Sequence, residues 1–188
     1  MRVFIALALE ESLKEALAKV QAELKSLGED IKWISPQNLH LTLKFLGEVP
    51  QEKIPKIIQS LKEISGNFEA FTIEIKNIGG FPNLKSPRVL WAGIEKGKEA
   101  LKIVTNVIED ALVKLKFPKE SRSFSAHLSL GRVTYIKNKE AFCQKISTIQ
   151  LPALCQGITS LTLFKSTLTP KGPLYEKIAP PFLFKNIA

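Results

Sequence analysis

The stretch NLHLTLKF, residues 38–45, places one of the chain's two histidines in a run of β-forming residues. The second histidine lies in SAHLSLGR, residues 125–132, so the pattern His-Leu-(Thr/Ser)-Leu occurs twice, 87 residues apart. Alternate side chains of a β-strand share one face, so each histidine should share a face with the nearby hydroxyl. The residues expected on these histidine faces are His40 with Thr42 and His127 with Ser129. The residues expected on the opposite faces are Leu41, Leu43, Leu128 and Leu130.

The same spacing relates longer parts of the chain, which predicts an internal duplication. One apolar helix face, formed by Leu13, Leu17, Val20 and Leu24, falls on Ala100, Val104, Val107 and Ala111. Intervals of three and four residues mark one side of a helix, here in the same register twice. The predicted elements are strand 2–9, helix 10–27, strand 38–47, helix 51–64 and strand 69–78, repeated as strand 88–95, helix 97–116, strand 124–134, helix 138–148 and strand 157–168. The simplest architecture is therefore two similar strand–helix lobes.

Composition limits the class of protein. At 188 residues the chain can bury a sizeable core without a disulfide or a structural metal. The net charge of +9 favours a polyanionic partner. Cys143 and Cys155 are expected to be buried free thiols, which predicts a cytoplasmic location. The apolar run 3–9 is far shorter than the ~20 residues of a membrane span and has no signal-type cleavage region, so no membrane association is expected.

Two histidines facing one cleft suit phosphodiester chemistry. An imidazole with a pKa near 6.5 can accept or donate a proton at physiological pH. One imidazole can act as base for the attacking oxygen while the other acts as acid for the leaving oxygen. The hydroxyls of Thr42 and Ser129 can donate to the non-bridging phosphate oxygens. This chemistry requires no metal and no other cofactor.

Other readings of the two histidines are weaker. A single histidine in an amphipathic strand is more often structural, but two matching copies at a repeat spacing favour function. A zinc site is not expected, because neither motif has an adjacent Asp, Glu or Cys. A serine hydrolase would need a GxSxG turn, and a P-loop enzyme would need the Walker pattern; the sequence has neither.

The motifs HLTLKFLGEV and HLSLGRV, with IGGFPNLKSPRVLWAGI between them and KSTLTPKGPLYEKI near the end, resemble the 2H phosphoesterases. Within that superfamily the chain is similar to the RNA 2′,3′-cyclic phosphodiesterases, also called 2′-5′ RNA ligases. The resemblance implies one bilobal α+β domain over residues 1–188, with antiparallel-type sheets flanking a central cleft. The lobes are expected at roughly 1–80 and 88–168, with a closing hairpin at 164–184.

The resemblance also implies the reaction and the roles of residues. The reaction would be metal-independent hydrolysis of an RNA 2′,3′-cyclic phosphate to a 2′-phosphomonoester. His40 would be the proton donor and His127 the proton acceptor, with Thr42, Ser129 and Arg132 on the phosphate. Strict alternation would turn Arg132 away from His127, unless a bulge at Gly131 corrects its direction. The substrate would be RNA, with tRNA fragments as one class, and no obligate protein partner is evident.

The sequence leaves several alternatives open. The alternatives are ligation of tRNA halves through a 2′-5′ bond, a non-catalytic module that binds RNA ends, and hydrolysis of small cyclic nucleotides. Lys44 should share the face of His40, where it would contact phosphate or solvent. Phe45 is expected in the core rather than stacked on a base, Trp33 and Trp91 in packing, and Lys171 at an RNA backbone.

Overall fold

The computed structural model describes residues 1–149, 151, 154–170 and 172–185. The helices of this part are α1 Glu11–Lys25, α2 Ile54–Ser65, α3 Lys98–Val113 and α4 Lys139–Thr148. The strands are β1 Arg2–Ala8, β2 Asp30–Trp33, β3 His40–Glu48, β4 Phe71–Phe81, β5 Val89–Ile94, β6 His127–Tyr135, β7 Leu154–Ile158, β8 Ser160–Thr169, β9 Gly172–Lys177 and β10 Phe182–Leu183.

The strands form two sheets in which every paired strand is antiparallel. The first sheet has the order β10-β8-β1-β3, with β9 also paired to β8. The second has the order β2-β6-β5-β4-β7. The prediction of an α+β fold with antiparallel sheets is confirmed.

The internal duplication is visible strand by strand. β1 lies between β3 and β8, and its counterpart β5 lies between β6 and β4. β3 and β6 are both nine residues long and have the same succession of buried and exposed side chains. Both begin at a histidine, so the repeat places the two motifs in equivalent strands of different sheets.

The sheets are not contiguous in sequence, in contrast to the expected division at 1–80 and 88–168. β4, from the first half, pairs in the second sheet, and β8, from the second half, pairs with β1 in the first. Each half therefore completes the sheet of the other half. Alternation within a strand contains no information about its pairing partner, so the sequence pattern could not predict this exchange of β4 and β8 between the sheets.

Several short or edge elements were not predicted. β2 and β7 extend the second sheet, and the predicted strand 157–168 covers the end of β7 and most of β8. The closing hairpin is formed by β8 and β9. Lys171, in its turn, lies outside the described residues.

The helices cover the sheets with their apolar faces. α1 buries Leu13, Leu17, Val20 and Leu24, the four positions predicted from spacing. α3 differs from the prediction, because Val107 is 38% exposed and the buried aliphatic residues are Leu101, Val104, Ile108 and Leu112. These aliphatic side chains are larger than those of Ala100 and Ala111, so burying them removes more apolar surface from water.

The two cysteines are less buried than the sequence predicted. Cys143 and Cys155 are free thiols, but Cys155 is exposed and Cys143 only half-buried, so the expected burial is wrong. Cys155 lies on the edge strand β7, whose alternate side chains face solvent.

Within the described residues, no helix has the length and apolar character needed to cross a membrane.

Candidate active site

Each histidine strand contains a β-bulge at the last leucine of its motif. In β6, Ser129 pairs with Trp91 and Gly131 with Leu90, so Leu130 has no counterpart in β5. In β3, Thr42 pairs with Ala6 and Lys44 with Ile5, so Leu43 is the extra residue. An extra residue reverses the alternation beyond it, because two successive side chains then lie on one face. Side chains after each bulge therefore change faces.

The bulge in β6 directs Arg132 into the cleft with His127 and Ser129. Leu130 and Gly131 are both buried, whereas Arg132 is exposed. The geometry expected from Gly131 is thus present. The bulge is also hydrogen-bonded by Gln21, whose Nε2 donates to the carbonyl oxygens of Leu130 and Ile34, both at 2.8 Å.

The bulge in β3 overturns two expectations from strict alternation. Lys44 is 3% exposed and faces the core, where its Nζ lies 2.6 Å from Oε2 of Glu109 and donates to the carbonyl of Pro118. Phe45 is 65% exposed and lines the cleft instead of the core. Phe45 consequently occupies in the first repeat the position that Arg132 occupies in the second.

Each histidine is oriented by the main chain two residues before it. Nδ1 of His40 lies 2.6 Å from the carbonyl oxygen of Asn38, and Nδ1 of His127 lies 2.7 Å from that of Ser125. A carbonyl oxygen can only accept a hydrogen bond, so Nδ1 carries the proton in both rings. Nε2 is then the nitrogen that each ring can use to exchange a proton in the cleft.

The surroundings favour the neutral form of both imidazoles. Burial removes solvent from the rings and lowers the pKa of His40 and the pKa of His127, while the Nδ1 hydrogen bonds oppose this effect. Phe4 lies 4.8 Å from His40 between ring centroids, and Tyr175 meets His40 edge-on. Phe81 meets His127 edge-on at 4.9 Å.

All five predicted polar site residues line one cleft of about 980 Å³ between the sheets: His40, Thr42, His127, Ser129 and Arg132. The motif leucines lie in the core: Leu41, Leu43, Leu128 and Leu130. Among the described residues, no side chain donates to or accepts from the hydroxyls of Thr42 and Ser129, so both are available to a ligand.

The cleft also contains residues that the sequence analysis did not select. Arg2, Lys32 and Trp33 line it, and the described lining includes no Asp or Glu. Tyr175 comes from the β8–β9 hairpin, where burial raises its pKa and the charge of Arg132 opposes the rise. Arg2 is one of only four arginines and precedes Phe4 on β1, a signal that could have identified it. No pattern in the sequence singled out Tyr175.

The residues around the cleft do not form a metal-binding group in the part of the chain that the structure describes. In this part of the chain, no three side chains of His, Cys, Asp or Glu lie together as a metal-binding group. The cleft instead offers the two imidazoles, the two motif hydroxyls and the cationic side chains of Arg2, Lys32 and Arg132. This set can transfer protons and bind an anionic group.

The sequence matches a known family model and is similar to relatives that share one name. A family model described as LigT like Phosphoesterase matches residues 7–91. The chain is 37% identical over 180 residues to a protein of Archaeoglobus fulgidus named RNA 2′,3′-cyclic phosphodiesterase, covering 95% of this chain and 98% of the relative. A protein of the same name from Methanocaldococcus jannaschii is 37% identical over 179 residues, with the same two coverages.

Solved structures share the fold. The protein TT0787 of Thermus thermophilus matches over the full length of both chains with a TM-score of 0.82 and 26% identity. E. coli LigT complexed with 3′-AMP matches over 97% of both chains with a TM-score of 0.79 and 24% identity. The likeness to E. coli LigT, at 24% identity, shows a shared fold only.

Proposed function

The chain belongs to the LigT-like phosphoesterase family, and we propose that it hydrolyses the 2′,3′-cyclic phosphate at the 3′ end of RNA. The product is a 2′-phosphomonoester. The family resemblance inferred from the two motifs is confirmed by the relatives. The observation that carries the proposal is the pair of imidazoles, each held through Nδ1 by a main-chain carbonyl and each lining the same cleft.

The proposed reaction is a displacement at phosphorus. Nε2 of His127 takes a proton from water as the water oxygen bonds to phosphorus. The bond from phosphorus to the 3′ oxygen breaks, and Nε2 of His40 gives its proton to that oxygen. Each proton transfer of this kind typically contributes about 10²–10⁴-fold. The histidines exchange protons with solvent before the next turnover.

The phosphate oxygens need partners that compensate their charge. We assign this role to the hydroxyls of Thr42 and Ser129 and to the guanidinium of Arg132. Fixed donors stabilise the charge that develops in the transition state. The three cations of the lining, Arg2, Lys32 and Arg132, belong to no ion pair within the described residues, so their charge is available to RNA.

The finer aspects of this function remain predictions. Ligation through a 2′-5′ bond would use an RNA hydroxyl in place of water, and it differs from hydrolysis only in the attacking group. tRNA fragments as substrates and a cytoplasmic location are predictions from the sequence. A metal-independent reaction is likewise a prediction.

Product analysis tests the proposal. The protein is incubated, with and without EDTA, with an oligonucleotide that ends in a 2′,3′-cyclic phosphate, and ³¹P NMR identifies the phosphate position. We expect a 2′-phosphomonoester at the same rate under both conditions. Binding without turnover would support the RNA-end-binding module instead, and turnover restored by one divalent ion after EDTA would contradict the metal-free mechanism.

A further inference from the structure

Asn38 makes two hydrogen bonds that connect the β8–β9 hairpin with His40. Its Nδ2 donates to the carbonyl oxygen of Pro173, 2.8 Å away, and its own carbonyl oxygen accepts from Nδ1 of His40 at 2.6 Å. Pro173 lies on β9, 135 residues further along the chain. A contact between distant segments therefore lies directly behind the carbonyl that orients the His40 ring.

The outer part of the hairpin extends beyond the first sheet. β8 pairs with β1 as far as Ser166, whereas its pairing with β9 continues to the tip. Beyond Ser166 the described hairpin is a ribbon of two strands, and such a ribbon is marginally stable by itself. Leu168 and Pro173 of this ribbon line the cleft. The side chain of Asn38 thus docks the ribbon on the rim of the cleft.

The hairpin also contacts the His40 ring itself. Tyr175 of β9 meets the ring edge-on with a centroid distance of 5.2 Å, and Phe164 of β8 lies 6.3 Å away. Asn38 ends the short 3₁₀ turn Pro36–Asn38, just before β3. The ring is therefore supported by the hairpin and by this turn, and Asn38 joins the two supports.

The second repeat has no such anchor at the equivalent position, which is Ser125, 87 residues after Asn38. The carbonyl oxygen of Ser125 accepts from Nδ1 of His127 at 2.7 Å. Its side chain is exposed, and in the described part of the chain its hydroxyl makes no hydrogen bond. Both histidines use the same main-chain contact, so the side-chain anchor is an addition that concerns His40 alone.

We propose that Asn38 is a positioning residue for His40. Its side chain holds the hairpin and the turn together, and its carbonyl then keeps the proton of the neutral ring on Nδ1. Nε2 stays directed into the cleft as a result. This role rests on the proposed function, because it concerns the readiness of Nε2 to exchange a proton with the substrate, and it requires no contact between Asn38 and RNA.

The ring nitrogens report this role without turnover. The chain has only two histidines, so ¹⁵N NMR of the free protein resolves both rings, and His40→Ala identifies the signals of His127. At about pH 8 both rings are neutral, and we expect both to carry the proton on Nδ1 in wild type. Asn38→Ala should give a mixture of the two tautomers for His40 and leave His127 unchanged. An unchanged His40 spectrum in Asn38→Ala would overturn the proposal.

Steady-state cleavage of an oligonucleotide ending in a 2′,3′-cyclic phosphate gives a second test. Asn38→Ala should lower kcat about tenfold at wild-type KM, the effect of one lost hydrogen bond. Asn38→Asp should lose at least as much, because it places an oxygen against the carbonyl oxygen of Pro173. In a His40→Ala background, Asn38→Ala should cause no further loss, since it acts through that ring. An equal loss in both backgrounds, or a raised KM at unchanged kcat, would overturn the proposal.

Asn67→Asp is the matched control. Nδ2 of Asn67 also donates to a main-chain carbonyl, that of Glu63 at 2.9 Å, but Asn67 lies just after α2 and outside the cleft lining. This variant should leave the spectra and the rates unchanged, and a tautomer mixture for His40 here as well would overturn a specific role of Asn38. Failure of wild type to cleave the oligonucleotide would overturn the proposed function, whereas the spectra would still decide whether Asn38 orients His40.

Discussion

His40 and His127 have the same main-chain contact but different ring neighbours. The Nδ1 hydrogen bond fixes the tautomer of each ring, so no rearrangement is needed before Nε2 exchanges a proton. Burial lowers the pKa of both, which keeps both largely neutral at pH 7 in the free protein. The acid of the pair must nevertheless carry a proton when the substrate binds.

This requirement predicts the pH dependence. As pH falls from 7, the proton donor is charged more often and kcat/KM should rise, until the base is also protonated and kcat/KM falls. Because both pKa values are below the ordinary value of about 6.5, the optimum of kcat/KM should lie below pH 6.5. An anionic substrate stabilises the imidazolium, so the optimum of kcat should lie at higher pH. The check is a pair of pH profiles; a kcat/KM optimum above pH 7 would contradict it.

The bulges of β3 and β6 decide which side chains of these strands reach the cleft. Gly131 is part of one of them, and a Cβ there would lie 2.8 Å from Cγ2 of Ile31 and 3.2 Å from Cε3 of Trp33. This close approach holds β2, with Lys32 and Trp33, against β6.

Gly131→Ala should therefore displace β2 or the bulge and misdirect Arg132. We expect kcat/KM to fall to a level near that of Arg132→Gln, with little further loss when the two changes are combined. Gly157→Ala, on edge strand β7, is the control, because a Cβ at Gly157 would meet no atom within 4 Å. Wild-type activity in Gly131→Ala would show that the bulge does not position Arg132.

The buried pair of Lys44 and Glu109 links β3 to α3. Oε2 of Glu109 accepts from Lys44 Nζ at 2.6 Å and from the main-chain nitrogen of Glu120 at 3.3 Å. Lys44→Met should lower the free energy of unfolding by about 3–5 kcal/mol, because a buried carboxylate loses its counter-ion. Lys44→Met with Glu109→Leu should lose much less. Urea unfolding measures both; equal losses in the two variants would contradict a role for the pair itself.

The same elements show how far the sequence predicts this site. Alternation is sufficient for the histidines, Thr42 and Ser129, because they precede the bulges. It is wrong for Lys44 and Phe45, which follow a bulge that no glycine marks in β3. In β6, Gly131 indicated a bulge, so the direction of the Arg132 side chain could be predicted. The crossing of β4 and β8 between the sheets depends on pairing between distant strands, which local patterns do not encode.

Each half of the chain completes the sheet of the other half, so the two histidine strands are parts of one folded unit. Gln156 of β7 connects the sheets, since its Nε2 donates to the carbonyl of Ala8 at 2.9 Å and its Oε1 accepts from the nitrogen of Glu10. Ala8 pairs with His40, so this contact fixes the first histidine strand relative to the second sheet.

The charge of the cleft predicts the salt dependence of RNA binding. Arg2, Lys32 and Arg132 line the cleft without an ion pair among the described residues, and three phosphate contacts correspond to a slope of about −2 in a plot of log affinity against log salt for a single strand. Fluorescence anisotropy with a non-hydrolysable RNA end, measured between roughly 50 and 200 mM salt, gives this slope. A flat response would contradict charge-assisted binding in the cleft, whereas a much steeper slope would assign binding to the surface lysines.

If His40 and His127 act as one acid–base pair, the single-turnover cleavage rates of their alanine variants should show it. Each single variant should keep its circular dichroism spectrum and lose about 10²–10⁴-fold in rate. The double variant should be scarcely slower than the slower single one, because residues that act as a unit are not additive. A wild-type rate in His40→Ala or His127→Ala, or losses that multiply in the double variant, would contradict the pair.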